Sequence, residues 1–370
     1  MAKAVRTNAK QMLANESYNF LKTYINTPSP TGFESGGQKV WLNYIKPYVD
    51  EIMTDPYGTA VGIINPNEKF KVVIEAHADE ISWFVNYISD SGLIYLKRNG
   101  GVDHQIAPGK RVFIHGKKGP VKAVFGWPAI HTRIGGGERK DPQPAVENLF
   151  LDCGAKNKKQ VESLGIHIGA VATYEEGYDE LAYDYLIGRA FDNRIGGFMI
   201  AEVARLLKAN KKKLPFGLYI VNAVQEEIGL RGAEMIARRI KPDVAIITDV
   251  THDTTTPMVN KIIEGDVACG KGPSLAYGPA VHNKLLAVVE DVANKKKIPV
   301  QMRTVSRSTG TDTDSFAYAN DGCPSVLISI PLRYMHTTVE MLHKDDVENT
   351  IKLMYETLLT LSPKTNLSYF

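Results

Sequence analysis

Residues 221–233 read Val221-Asn-Ala-Val-Gln-Glu-Glu-Ile-Gly-Leu-Arg-Gly-Ala233. Leu218, Tyr219, Ile220 and Val221 form a strand-prone run. Gly229 and Gly232 punctuate the next stretch of chain, and Ala233, Met235, Ile236 and Ile240 then recur at helical spacing. A strand that turns through glycines into an amphipathic helix is one unit of an α/β fold. Glu226 and Glu227 stand where that strand ends, the place where open α/β sheets put their chemistry.

The same texture continues on both sides. Downstream, residues 244–249 are an apolar strand ending in Asp249, residues 283–296 a helix, 299–304 and 324–329 strands, and 345–361 a closing amphipathic helix. Upstream, residues 195–208 form a long helix with one apolar stripe. Helices are expected at 16–25 and 36–49, followed by strands at 60–64 and 71–78 bridged by Asn65-Pro66-Asn67. Alternation in the 71–78 strand sends Glu75, His77 and Asp79 to one face.

Between residues 80 and 182 the pattern changes to short strand-prone runs at 81–88, 93–97, 111–115, 121–125 and 170–174, the spacing of a small barrel or sandwich, with a helix at 157–164. The Gly135-Gly136-Gly137 run lacks the feeding strand and the Gly-Lys-Ser/Thr ending of a phosphate loop, so it reads as a mobile surface loop. The expected organisation is a discontinuous α/β domain, residues 1–79 and 183–370, interrupted by a β-rich domain at 80–182.

Bulk properties narrow the function classes. With 44 basic and 41 acidic side chains, the net charge of +3 supplies no field for nucleic acid or an anionic membrane, and the lysines at 211–213 and 295–297 read as solvated helix ends. Cys153, Cys269 and Cys323 lie far apart, which argues against a disulfide framework and a thiolate zinc site and points to a cytoplasmic protein. Residues 1–10 are basic without an apolar core behind them, so no secretory signal is expected, and no apolar run approaches the ~20 residues of a membrane helix.

Five strand ends or adjoining turns offer hard donors: His77 with Asp79, Asp192, Glu226 with Glu227, Asp249 and His336. Singly each has an ordinary reading. A strand histidine is usually a satisfied core or surface residue, and Asp192 could cap the helix after it. Together, two imidazoles and several carboxylates are the donors that suit two neighbouring divalent ions, and a cation would relieve the repulsion of converging carboxylates.

The strings His77-Ala-Asp-Glu80, Gly188-Arg-Ala-Phe-Asp-Asn-Arg194, Val224-Gln-Glu-Glu-Ile-Gly-Leu-Arg-Gly-Ala233, Asp249-Val-Thr-His252 and Arg333-Tyr-Met-His336 resemble the signature set of metallopeptidase family 42. These are co-catalytic metallo-aminopeptidases that assemble as tetrahedral particles, among them glutamyl and leucyl aminopeptidases and some once labelled endoglucanases. The resemblance runs from about residue 27 to the C-terminal helix. It implies a mixed central sheet flanked by helices, of the zinc-dependent exopeptidase type, with a small inserted β-barrel-like domain serving as lid and oligomer contact, and a tetrahedral dodecamer as the assembly. It also implies two divalent ions per chain, zinc or cobalt, bridged by Asp192. Glu227 and His336 complete one ion's set, and His77 and Asp249 the other's. Asp79 orients His77, Glu226 is the general base, and the Asp192–Asn193 peptide is cis. Short peptides are the implied substrates, with the free α-amine beside one ion.

This chain departs from the pattern at Asn193, where many relatives have a second Asp, which leaves Asp192 itself in place. His252 and Asp253 come soon after Asp249 and are read as loop or supporting residues rather than ligands. Two other functions compete. A glycosidase could use Glu226 and Glu227 as its carboxylate pair, but consecutive strand residues diverge and both histidines would lack a role. A non-catalytic scaffold with a structural zinc would call for a closed, often cysteine-rich tetrad, which this set is not.

Overall fold

The computed structural model describes residues 13–132 and 143–370. The expectations for residues 1–10 and for Gly135-Gly136-Gly137 fall outside them.

An eight-stranded mixed sheet forms the centre. Its strands lie in the order Glu51–Thr54, Ala60–Ile64, Gly217–Ala223, Lys71–His77, Val244–His252, Ser325–Leu332, Ser274–Tyr277 and Gln301–Thr304. The four middle strands, from Gly217–Ala223 to Ser325–Leu332, run parallel, and antiparallel pairings at Ala60–Ile64 and Ser274–Tyr277 turn the sheet mixed. Those four are buried along nearly their whole length, the signature of a sheet covered on both faces. The helix Phe191–Ala209 packs across the Lys71–His77 strand and against the closing helix Lys344–Thr360. It buries every residue from Phe191 to Ala204, on all sides rather than along one apolar stripe, so its N-terminal half is enclosed between the sheet and the neighbouring helices.

Six strands between residues 82 and 174 close into a separate barrel, in the order Ser82–Ile88, Ile94–Asn99, Phe150–Asp152, Gly119–Gly126, Arg111–Gly116 and Val171–Tyr174. It has its own core around Trp83, Ile114, Phe125 and Leu151. The Phe150–Asp152 strand has no counterpart in the sequence pattern and completes the closure. The expected 157–164 helix is present as Lys158–Ser163, with the Asn157 side chain accepting the Gln160 N–H as its N-cap. A further sheet of three short strands, Asp179–Glu180, Tyr185–Gly188 and Glu340–His343, links the end of the barrel segment to the start of the last helix.

Two local expectations are corrected. Asp192 does not cap the long helix: Asp192 and Asn193 have non-helical angles with a cis peptide between them, and it is Asn193 Oδ1 that accepts the Gly196 N–H at 3.1 Å as the cap. Glu226 and Glu227 are not strand residues. The strand stops at Ala223, Gln225 takes a left-handed conformation, and the two acids open a 3-10 turn, Glu226–Ile228.

Candidate metal centre

The parallel strands deliver their carboxyl ends to one place. His77 is the last residue of its strand, Asp249 lies on the next strand, and Glu226 and Glu227 come just after the strand on the other side of His77. Asp192 arrives from the start of the long helix and His336 from the turn after Ser325–Leu332.

Asp192 sits in the middle. One of its oxygens, Oδ1, lies 3.2 Å from His77 Nε2, and the other, Oδ2, lies 3.2 Å from His336 Nε2. On the His77 side stand Glu226 Oε2 at 3.7 Å and Asp249 Oδ1 at 3.9 Å. On the His336 side stands Glu227 Oε2 at 3.4 Å. The donors therefore form two compact groups that share Asp192, His77–Asp192–Asp249 and Asp192–Glu227–His336, each able to hold a cation. His77, Glu226 and Glu227 make a third, overlapping group.

Two further buried carboxylates hold the backbone around them. Asp79 accepts the N–H of Glu226 at 3.0 Å and of Glu227 at 3.2 Å, takes the Thr31 hydroxyl at 2.9 Å, and lies 3.3 Å from His77 Nδ1. Glu340 accepts the N–H of His336 at 2.9 Å and of Asp192 at 3.1 Å. Sequence reasoning found Asp79 by extending the strand two residues past His77, which in the structure is its last residue. It missed Glu340, whose signal is carried by the pairing of Glu340–His343 with Tyr185–Gly188. The barrel segment also touches the centre: the Gly101 carbonyl lies 3.0 Å from His336 Nδ1, and a Cβ on Gly101 would come within 2.8 Å of that ring. Only glycine permits so close an approach.

Without a cation the electrostatics are discordant. Burial raises the Glu226 carboxyl to about 10; His77 pulls it down, while Asp249 and Asp312 push it further up. Burial likewise takes Asp249 to about 7. Burial would raise Asp192 too, but contacts with His336 and His77 outweigh it and hold that carboxyl well below its ordinary range. Both imidazoles resist the lowering effect of burial through the surrounding carboxylates, and His336 reaches about 12. His77 Nδ1 is held beside Asp79, while its Nε2 faces Asp192, Glu226 and Asp249 without a well-aligned hydrogen bond, and Oε1 of Glu227 is buried without a partner. Imidazole Nε2 atoms facing crowded carboxylates fit a divalent cation, which would satisfy both.

The donors open into a cavity of about 480 Å³. Thr309, Gly310 and Thr311 line it, together with Met335 beside His336. His252 lines the cavity without joining a donor group. Asp253 is turned away, with its carboxylate taken by Arg333 Nε at 2.7 Å and by the N–H groups of Thr255 and Cys269.

Residues 58–353 match the family model described as M42 glutamyl aminopeptidase. The chain belongs to that family. It is an aminopeptidase of the M42 type, a hydrolase of peptide bonds. Among curated proteins it is 31% identical over 349 residues to the lysyl aminopeptidase of Pyrococcus furiosus, covering 94% of this chain and 98% of that protein. Among solved structures, the TET aminopeptidase of a marine sediment archaeon (Thaumarchaeota archaeon SCGC AB-539-E09) superposes with a TM-score of 0.90 at 31% identity, covering 95% of this chain and 99% of that one. The Pyrococcus horikoshii TET1 peptidase, described as assembling into a tetrahedron or a large octahedral shell, gives a TM-score of 0.82 at 25% identity, covering 93% and 100%. Membership in a peptidase family, with aminopeptidases among its relatives, favours peptide hydrolysis over the glycosidase and scaffold alternatives.

Proposed function

We propose that this M42 enzyme removes the N-terminal residue of short peptides at a centre of two divalent ions bridged by Asp192, with Glu226 as general base. The observation that carries this reading is the pair of donor groups sharing Asp192, with Glu226 Oε2 beside them. His77 and Asp249 would hold one ion, and Glu227 and His336 the other. Zinc and cobalt both suit these donors. Bound there, such ions would supply Lewis acidity, lowering the pKa of a water and polarising the scissile carbonyl.

The protein's own residues do the rest. Asp79 and Glu340 fix the backbone on either side of the centre, so the donors need little reorganisation. Glu226 takes a proton from the attacking water at Oε2 and passes it to the leaving amine. Positive charge beside it would bring its raised carboxyl down toward the neutral range in which a base works best. The reading is tested by comparing an aminoacyl-p-nitroanilide with its N-acetylated counterpart: an exopeptidase cleaves only the first, and equal cleavage contradicts it.

Removal of the ions has a pH signature. Glu226, Asp249 and His336 all have folded pKa values above their ordinary 4.5, 3.8 and 6.5. A raised group favours the fold below its unfolded pKa and loses that contribution as pH rises through its folded value, here about 7 for Asp249 and about 10 for Glu226. The metal-free protein should therefore melt at a lower temperature near pH 8 than near pH 5.5, with the order reversed when zinc is added, because deprotonated donors bind it better. Calorimetric melting at the two pH values checks this, and an unchanged order on metal addition contradicts the ligand assignment.

The likeness to a peptidase that forms tetrahedra and octahedra supports a homo-oligomer, which we propose to be a tetrahedral dodecamer. Three free cysteines support a cytoplasmic protein. Among the described residues no helix is long and apolar enough to cross a membrane.

A further inference from the structure

The metal-centre reading leaves one charged side chain of the cavity without a task. Arg303 is the one lysine or arginine lining it among the described residues. It lies on the sheet's edge strand Gln301–Thr304, paired in register with Ala276. Cross-strand partners share a face, so Arg303, Ala276, Ser274, Ser329 and Asp249 lie on the same side of the sheet. Ala276 has only a methyl group, which leaves room for the long side chain to lean inward. Its Nη2 donates to Ser329 Oγ at 3.4 Å, and Ser329 is the register partner of Asp249.

The donors of this guanidinium are mostly unspent. Arginine carries five N–H donors in a rigid fork and stays charged in proteins. Here Nε is buried without a partner and the bond to Ser329 is long. Among the described residues no carboxylate lies within ion-pair distance of Arg303. Burial pushes its pKa down, countered chiefly by attraction to Asp249. If Asp249 spends its charge on an ion, that counterweight goes, and a partly buried cation beside a cationic centre is unfavourable until an anion reaches it.

We propose that Arg303 is the specificity-determining residue of this cavity and receives the side-chain carboxylate of an acidic first residue, glutamate or aspartate. The inference rests on the aminopeptidase reading of the site. A carboxylate matches the guanidinium fork with two parallel hydrogen bonds. Leu230, Val250 and Met335, which line the same cavity, offer apolar surface to the methylenes that precede it. Family membership does not decide the point, since the family model is described as glutamyl and the Pyrococcus furiosus relative is a lysyl enzyme.

The test is kcat/KM for glutamyl-, aspartyl-, leucyl- and lysyl-p-nitroanilide with the metal-loaded full chain. The wild type should favour the two acidic substrates. Arg303→Gln should lower the glutamyl-to-leucyl ratio by roughly 30-fold or more, the scale of losing one partner of a desolvated charge pair. Arg303→Glu should shift the preference toward lysine. As a second readout that does not depend on a folded variant, free L-glutamate should inhibit the wild type more strongly than free L-leucine or L-lysine. A wild type that prefers leucyl or lysyl substrates, or an Arg303→Gln variant that loses all four alike, overturns the assignment of Arg303 while leaving the aminopeptidase reading standing. Failure to cleave any of the four overturns both.

Discussion

Glu226→Gln is expected to keep its bound metal and to lose a factor of about 100 to 10,000 in kcat, the usual contribution of a positioned general base. Glutamine has the same shape, and the backbone contact that sets position 226, its N–H to Asp79, does not involve the side chain. What the substitution removes is the proton acceptor 3.7 Å from His77 Nε2. Elemental analysis alongside steady-state kinetics separates the two roles open to this residue, because His77, Glu226 and Glu227 also lie close enough to form a donor group. Metal retained with turnover lost supports the base. Metal lost makes Glu226 a ligand, and turnover retained removes it from the mechanism.

Asp192→Asn should act on both ions at once. The two carboxylate oxygens face different histidines, each at 3.2 Å, so the residue joins the two donor groups. An amide offers one oxygen and turns an N–H2 toward the other imidazole, where a cation would have to sit. Metal content should fall below one ion per chain. Loss of several kcal/mol of transition-state stabilisation should cut kcat/KM by on the order of 1,000-fold or more. Retention of two ions per chain would show that Asp192 does not bridge them.

The central strands were legible because they are buried on both faces: Gly217–Ala223, Val244–His252 and Ser325–Leu332 carry apolar runs, and Lys71–His77 has a β-prone run with Glu75 and His77 set on one face. The sequence hid the strands whose existence depends on a partner. Glu51–Thr54 is a mostly exposed edge strand, Ser274–Tyr277 is a four-residue strand wedged between its neighbours, and Glu340–His343 forms through pairing with Tyr185–Gly188 and a bridge from Met341 to Arg333. The site divided in the same way. Each of the five donors and Glu226 could be found at a strand end or turn, but their convergence depends on the parallel register of neighbouring strands. The differing surroundings of Glu226 and Glu227 were anticipated for the wrong reason: a 3-10 turn, not strand alternation, sends one toward His77 and the other toward His336. Glu340 and Arg303 carried no local signal, because tertiary packing alone brings them to the centre.

The most direct measurement is turnover of an aminoacyl-p-nitroanilide by chelator-stripped protein titrated with zinc or cobalt while bound metal is counted. The two-ion account predicts no turnover in the stripped protein and full recovery only as the second ion per chain binds. Turnover that survives stripping, or that is complete with a single bound ion, would contradict it.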